Sequence, residues 1–245
     1  MSLLRKIYRI PLVLLWFVVC TVYVHLVNHG ARAEQKSLDF TLMWAKVSAW
    51  IIGLKIRVEG EFKDFNGGLI AANHQSVLDT LVLGASFRIR FAPKVEMRKW
   101  PLIGWLIQCN KPVWIDRTTP RKAKESAEAM SRTMRNGLAM MVFPEGTTSD
   151  GKKGLLPFKS TAFQAAIDAE KAVFPVIISY APEIRPEVQW CGDRSFLRHI
   201  WGLLGLKETR ATVYIMTSEP VEPCRDRKEL AARIYSVMNE KWRNL

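Results

Sequence analysis

A histidine and an aspartate five residues apart, His74 and Asp79, follow directly on the apolar run Leu69-Ile70-Ala71-Ala72. At about 3.6 residues per turn, helix positions five apart point roughly 140° away from each other, so a continuous helix keeps the two side chains apart. A strand end, a turn and a helix start bring them together. Gly67-Gly68 opens the apolar run, Asn73 breaks it, and Leu78 with Thr80 to Leu83 begins a helical pattern. The spacing therefore predicts a strand, turn and helix in succession, with His74 in the turn and Asp79 in the first helical turn. Two uses of the pair are open at this level. Asp79 can orient His74 as a base, or Ser76-Val77-Leu78-Asp79 can be a capping box whose acid satisfies a helix start.

Farther along the chain, apolar runs alternate with helical patterns. Strands are predicted near 56–58, 69–72, 89–93, 112–115, 138–143, 173–180 and 211–216, and helices near 79–86, 101–108, 121–135, 161–169 and 226–242. This alternation specifies an α/β domain with a mixed, largely parallel sheet flanked by helices. Residues 182–209, carrying Trp190, Phe196, Trp201, Leu203, Leu204 and Leu206, read as an insertion that packs on the domain or touches lipid.

The first 54 residues are different in kind. Arg5, Lys6 and Arg9 precede a largely apolar run of about eighteen residues from Ile10 to Val27. A second apolar stretch, 38–54, has Asp39 and Lys46 as its only charges. Residues 1–54 are therefore read as an N-terminal membrane-anchoring helix pair and residues 55–245 as the domain that carries the site. The basic flank places that domain on the cytoplasmic face of the membrane. A cleaved secretory signal ending at Ala31-Arg32-Ala33 is the rival reading. A net charge of +13 and a pI of about 9.8 call for an anionic partner such as a phospholipid surface or a phosphorylated substrate. No single-sign block suggests a nucleic-acid tail, so a nucleic-acid partner is not expected. Cys20, Cys109, Cys191 and Cys224 are scattered without a Cys-x-x-Cys pair, which suggests neither a metal site nor a disulfide framework and fits reduced, cytoplasmic thiols.

In open α/β sheets, sites form at the carboxyl ends of strands. The predicted strand 138–143 ends in Pro144-Glu145-Gly146-Thr147-Thr148-Ser149, a polar cup or a plain turn. Another ends in Trp114-Ile115-Asp116-Arg117, where Arg117 can clamp a phosphate or simply pair with Asp116. Lys159 precedes the helix near 161–169, an anion-friendly position.

Taken together and in order, these segments resemble the glycerophospholipid acyltransferase family, whose best-known branch is 1-acylglycerol-3-phosphate (lysophosphatidic acid) acyltransferase. Asn73-His74-Gln75-Ser76-Val77-Leu78-Asp79 is similar to its His-x4-Asp motif, Ile115-Asp116-Arg117 to its second, and Phe143-Pro144-Glu145-Gly146-Thr147 to its third. Phe174-Pro175-Val176-Ile177 is similar to the fourth, a proline in an apolar strand. The resemblance implies acyl transfer from acyl-CoA or acyl-carrier protein to the free hydroxyl of a lysophospholipid, with 1-acylglycerol-3-phosphate as the leading acceptor and phosphatidic acid as product. It implies His74 as general base and Asp79 as the group that orients it. Glu145, Gly146 and Thr147 would bind the head group, and Arg117 its phosphate, with Lys159 a further cation; neither metal nor cofactor is required. The expected location is the membrane, among membrane lipids. Three positions depart from the family's usual residues: Thr148 stands where phosphatidate-forming members usually carry Arg, Lys111 where a Gly is usual, and Ala172 where the fourth motif has a first Pro. Thr148 bears on the acceptor, and it makes another lysophospholipid or a lyso-aminolipid the alternative. A non-catalytic lipid-binding protein and an exported hydrolase are the other classes, although the chain has no Gly-x-Ser-x-Gly elbow.

Overall fold

The computed structural model describes residues 2–27, 33–192, 194–222 and 226–245. Helices α1 (Ser2–Val27) and α2 (Ala33–Ile52) lead into β1 (Leu54–Glu59), β2 (Gly68–Ala72), α3 (Leu78–Ser86) and β3 (Ile89–Phe91). A tight helical turn, Val95–Lys99, precedes α4 (Ile103–Cys109), α5 (Pro120–Arg135) and β4 (Ala139–Val142). Then come α6 (Thr161–Ala169), β5 (Val173–Tyr180), α7 (Arg185–Val188), α8 (Phe196–Gly205), β6 (Thr209–Ile215) and α9 (Arg227–Arg243).

The strands form one sheet in the order β1-β6-β5-β2-β4-β3, parallel at every neighbour except β5 and β6. This is the mixed, largely parallel sheet that the alternation predicts. Successive strand residues face opposite sides, so each central strand feeds two cores. Leu69, Ala71, Met140, Val142, Val173 and Ile177 pack under α5, α6 and α9. Ile70, Ala72, Met141, Phe174, Val176 and Ile178 pack under α3, the end of α2 and α8. β2 is buried along its whole length, which is why its sequence is a continuous apolar run without alternation. Gly67, at φ +76°, lets the chain enter β2 where a Cβ would lie 2.3 Å from the Met134 carbonyl.

Pro175 lies inside β5, in the middle of the sheet, and has no N–H to give. Its carbonyl accepts from Met216 N–H on the β6 side. Between the pairs Ile177–Tyr214 and Val173–Glu219 the facing segment holds one residue more than β5 does, so the register slips there and the missing donor falls at a bulge.

Some predicted elements differ. Residues 112–115 are not a ladder strand: Val113 N–H bonds the Phe91 carbonyl and Ile115 N–H the Pro93 carbonyl, but only Ile115 forms a bridge, to Lys94. Pro93 and Pro112 remove the donors that a regular ladder needs. α4 starts two residues later than the pattern suggests, after Leu102 at φ +61°.

The N-terminal helices are both present, but they are used differently. α1 over residues 2–26 is long and apolar enough to cross a membrane. Leu3, Leu4, Ile7, Leu14, Leu15, Val18, Val22 and Leu26 form its exposed stripe. Its other face packs: Tyr23 stacks on Phe40 at 5.6 Å, Phe17 meets Trp105 at 5.4 Å, and Cys20, Phe40, Leu106 and Cys109 share one buried cluster. α2 turns inward: its Leu38, Phe40, Thr41, Ala45, Ala49 and Ile51 are buried. Its Asp39 pairs with Arg88 and its Glu34 with Arg90, so α2 is fastened beside β3. Of the Ala31-Arg32-Ala33 signal-cleavage reading, Ala31 and Arg32 lie outside the described residues, as does Cys224.

The basic residues ahead of the apolar run have a specific use. Arg9, only 3% exposed, donates to the carbonyls of Leu204, Leu206 and Lys207, and Arg5 donates to that of Gly205. Lys6 lies over the Trp201 ring. A helix C-terminus leaves carbonyls unpaired and partly negative, and two guanidinium groups satisfy them here. Replacing Arg9 with Met leaves those buried acceptors without donors, and thermal unfolding in detergent is expected to show a loss of about 2 kcal/mol.

Candidate active site

β2 runs straight into the turn that carries His74. The Asn73 amide donates to the Ile178 carbonyl at 3.0 Å and accepts from Ile178 N–H at 2.7 Å, which extends the β2–β5 pairing by a side chain and fixes where the turn begins. From there the five-residue spacing closes as a turn into α3. His74 Nδ1 lies 2.8 Å from Asp79 Oδ2. The same oxygen accepts from Gln75 N–H at 2.6 Å and Ser76 N–H at 2.9 Å, and Oδ1 accepts from the Tyr180 hydroxyl at 2.6 Å. Asp79 is fully buried.

Helix capping and the histidine contact coexist. By backbone angles the cap position is Val77 and not Ser76, and it makes no side-chain cap bond. Ser76 Oγ instead accepts from Leu78 N–H, while the Asp79 carboxylate reaches back to Ser76 N–H as a capping acid does. One carboxylate thus closes the helix start and holds the imidazole. The His74 ring is stacked on Phe143, centroids 3.9 Å apart and planes at 8°. Asp79 fixes one ring nitrogen and Phe143 one ring face, so Nε2 is the nitrogen left to act on another molecule. Burial, and then the Asp79 charge, hold the Tyr180 phenol well above its usual range, so it stays a donor.

The loop after β4 is tied to the same turn. Glu145 is 3% exposed; one oxygen accepts from His74 N–H at 2.8 Å and the other from Ser149 Oγ at 3.0 Å and Leu156 N–H at 2.9 Å. Burial pushes its carboxyl up, against these donors and the nearby His74. Both oxygens therefore face inward, whereas Thr147 is exposed. Gly146 has φ +72° and is covered by the Lys159 side chain: a Cβ there would lie 2.7 Å from Lys159 Nζ. Lys159 N–H also bonds the Pro144 carbonyl at 2.9 Å, so Gly146, Thr147 and an exposed ammonium adjoin the His74 turn.

Arg117 is placed elsewhere. It is exposed and lines a shallow cleft with Ser126, Thr161 and Ala162, between α5 and the start of α6. The surface Asp116–Arg117 pair does not form, because Asp116 is taken by Thr118 and Lys122. The structure thus brings together His74, Asp79, Glu145, Gly146, Thr147 and Lys159, with Arg117 next to the helix that Lys159 precedes.

Residues from far along the chain complete the surroundings. Trp190 N–H donates to the Gln75 carbonyl at 2.8 Å, and Gln189 Nε2 donates to Gln75 Oε1 and to the Asp150 carbonyl. The Thr148 hydroxyl donates to the Trp190 carbonyl. The segment that reads as an insertion therefore joins the His74 turn to the loop after β4. Tyr180 carried one usable signal, a hydroxyl at the carboxyl end of a largely apolar strand; Gln189 and Trp190 carried none.

A family model described as Acyltransferase matches residues 55–179. A lyso-ornithine lipid O-acyltransferase from Rhizobium meliloti is 31% identical over 82% of this chain and 75% of its own length. One from Pseudomonas aeruginosa is 33% identical over 85% of this chain and 80% of its own. A 1-acyl-sn-glycerol-3-phosphate acyltransferase from Neisseria gonorrhoeae is 33% identical over 69% of this chain and 67% of its own. The crystal structure of the 1-acyl-sn-glycerophosphate (LPA) acyltransferase PlsC from Thermotoga maritima superposes with a TM-score of 0.72, over 100% of this chain and 97% of that one at 20% identity, which shows a shared fold.

Tyr180→Phe removes one donor from a carboxylate that water does not reach. Chemical denaturation is expected to show a loss of about 1–3 kcal/mol.

Proposed function

The chain belongs to the acyltransferase family, and on that premise we propose that it moves a fatty acyl group from a thioester to the hydroxyl of a lysolipid, with His74 as general base. The observation that carries this reading is the 2.8 Å contact between His74 Nδ1 and the buried Asp79 carboxylate. It directs Nε2 outward as the proton acceptor. The acceptor oxygen attacks the thioester carbonyl as Nε2 takes its proton; collapse of the tetrahedral intermediate breaks the C–S bond, and the same proton goes to the departing thiolate. Asp79 stabilises the imidazolium between the two steps, as triad carboxylates do. Tyr180, Gln75 and Ser76 keep the Asp79 carboxylate aligned. Glu145 is a positioning group that holds the His74 backbone, while Gly146, Thr147 and Lys159 border the space that the head group would enter.

We assign the acceptor as a lyso-ornithine lipid. The supporting observations are the relatives of that name, matched over more of this chain than the glycerophosphate enzyme from Neisseria, and Thr148. The Thr148 hydroxyl is used to dock Trp190, so this position contributes no cation for a phosphomonoester. The second reading, 1-acylglycerol-3-phosphate, is favoured by Lys159 and Arg117, both exposed and without an ion-pair partner among the described residues. The donor is acyl-CoA or acyl-carrier protein.

We propose that the reaction takes place at a membrane, with residues 55–245 on its cytoplasmic face. α1 touches the domain from Arg9 to Tyr23, about 21 Å at 1.5 Å per residue. A helix held along that length lies against the domain and lowers its outer stripe into one leaflet.

Purified protein given acyl-CoA or acyl-carrier protein donors and a panel of lysolipids, with products read by mass spectrometry, is expected to acylate lyso-ornithine lipid in preference to 1-acylglycerol-3-phosphate. His74→Ala is expected to lower the rate by about 10²-fold or more. A His74→Ala protein as fast as wild type would overturn the mechanism, and the reverse acceptor order would select the second reading.

A further inference from the structure

Beside the proposed catalytic pair, a second histidine lies next to the same turn, and this one is buried. His199 in α8 is 1% exposed, and its Nε2 lies 3.3 Å from Ser76 Oγ. Ser76 is fully buried, and its backbone N–H is one of the two amide donors to Asp79 Oδ2. Its hydroxyl also accepts from Leu78 N–H, so Ser76 is held from its backbone on one side and from α8 on the other. We propose that His199 is a positioning residue for acyl transfer, acting through Ser76 to hold the turn that aligns Asp79 with His74.

Three observations support the assignment. First, His199 is itself fixed. Its ring is stacked on Trp190 at 5.7 Å and 10°, and Trp190 bonds the backbone of Gln75, the other amide donor to Asp79. Second, α8 is clamped at its far end by Arg5 and Arg9, so its position relative to the sheet is set by α1. Third, the arrangement tolerates an imidazole nitrogen, Nδ1, that is buried without a partner among the described residues. A structure free to choose an apolar side chain there would avoid that cost, so the bond to Ser76 is the reason for a histidine. The groups facing the ring are Arg194, which disfavours its cation, and Asp79, which favours it. Burial, with Arg194 acting in the same direction, outweighs Asp79 and lowers its pKa to about 4. At neutral pH His199 is uncharged and leaves the Asp79 charge to His74.

That neutrality has a measurable signature. A folded-state pKa below the ordinary value of 6.5 means that the unfolded chain binds the proton first, so stability is full above pH 6.5 and falls as pH drops toward about 4. The part of this slope due to His199 is expected to vanish in His199→Phe.

The inference rests on His74 and Asp79 being the catalytic pair, and the experiment separates the two claims. kcat, KM and the pH profile of kcat/KM are measured for full-length His199→Phe, His199→Gln, Ser76→Ala and the double variant His199→Phe with Ser76→Ala. Misplacement of a base by an ångström costs about 10²-fold, so His199→Phe and Ser76→Ala are each expected to lower kcat by about 10- to 100-fold with little change in KM. The double variant should be no worse than Ser76→Ala alone, because that change already breaks the His199 contact along with the one to Leu78. Glutamine carries an amide nitrogen near the place of Nε2 and should restore most of kcat. The acid limb of the profile should move to lower pH as Asp79 stabilises the His74 imidazolium less. Wild-type kcat and profile in His199→Phe, or equal losses in His199→Phe and His199→Gln, would overturn the proposal. Should His199→Phe fail to fold, Ser76→Ala decides: wild-type kcat there overturns the proposal, and the expected loss with the shifted limb supports it. A His74→Ala protein of wild-type activity defeats the catalytic reading itself, whereas an inactive His74→Ala beside an unimpaired His199→Phe defeats only this inference.

Discussion

The structure around the site is organised by one sealed carboxylate. An ionised Asp79 removed from water is several kcal/mol unfavourable unless donors replace its hydration. Four do so: two backbone amides of the turn, the His74 ring and the Tyr180 hydroxyl. Each depends on a different feature of the fold. The amides require the turn at 73–77, and Tyr180 requires β5 beside β2. The Asn73–Ile178 bonds set the register between these strands just before the turn. A change in strand order or register would strip donors from Asp79 and misdirect His74 together.

How much of this could be read from the chain depended on sequence distance. The strand, turn and helix around His74 were legible because spacing and break residues lie within a dozen positions. The α/β class and the mixed sheet followed from alternation, and β2 and β5 announced themselves as unbroken apolar runs. Tyr180, Gln189, Trp190 and His199 lie 101 to 123 residues from the partners they serve in the turn. Only sheet order and helix packing bring them back, and local pattern encodes neither. Residues 112–115 misled for a different reason: extended conformation was correctly implied, but prolines on both partner segments deny the ladder. Glu145 was legible as part of a polar cup, while the inward direction of its oxygens was not, since that depends on Leu156 and on the His74 backbone.

Charge at the N-terminus illustrates the same limit. Arg5, Lys6 and Arg9 have the composition of a membrane flank, and composition cannot distinguish a guanidinium facing lipid head groups from one that closes a helix end. The structure uses Arg5 and Arg9 in the second way, so part of the large positive charge is internal bonding and not attraction to an anionic surface. The helix they hold is the one that reaches Ser76, which links α1 to the turn.

The inner face of α1 also has a practical meaning for anyone preparing this protein. Cutting the chain after the first helix, as one would trim a tether, would uncover Phe40 and Leu106 and leave the last carbonyls of α8 without their guanidinium partners. Such a fragment would lose a wall of its own interior, not an accessory. The route to a water-soluble form is to recolour the exterior: polar substitutions along Leu3, Ile7, Leu14, Val18 and Val22 leave the packed side of the helix in place.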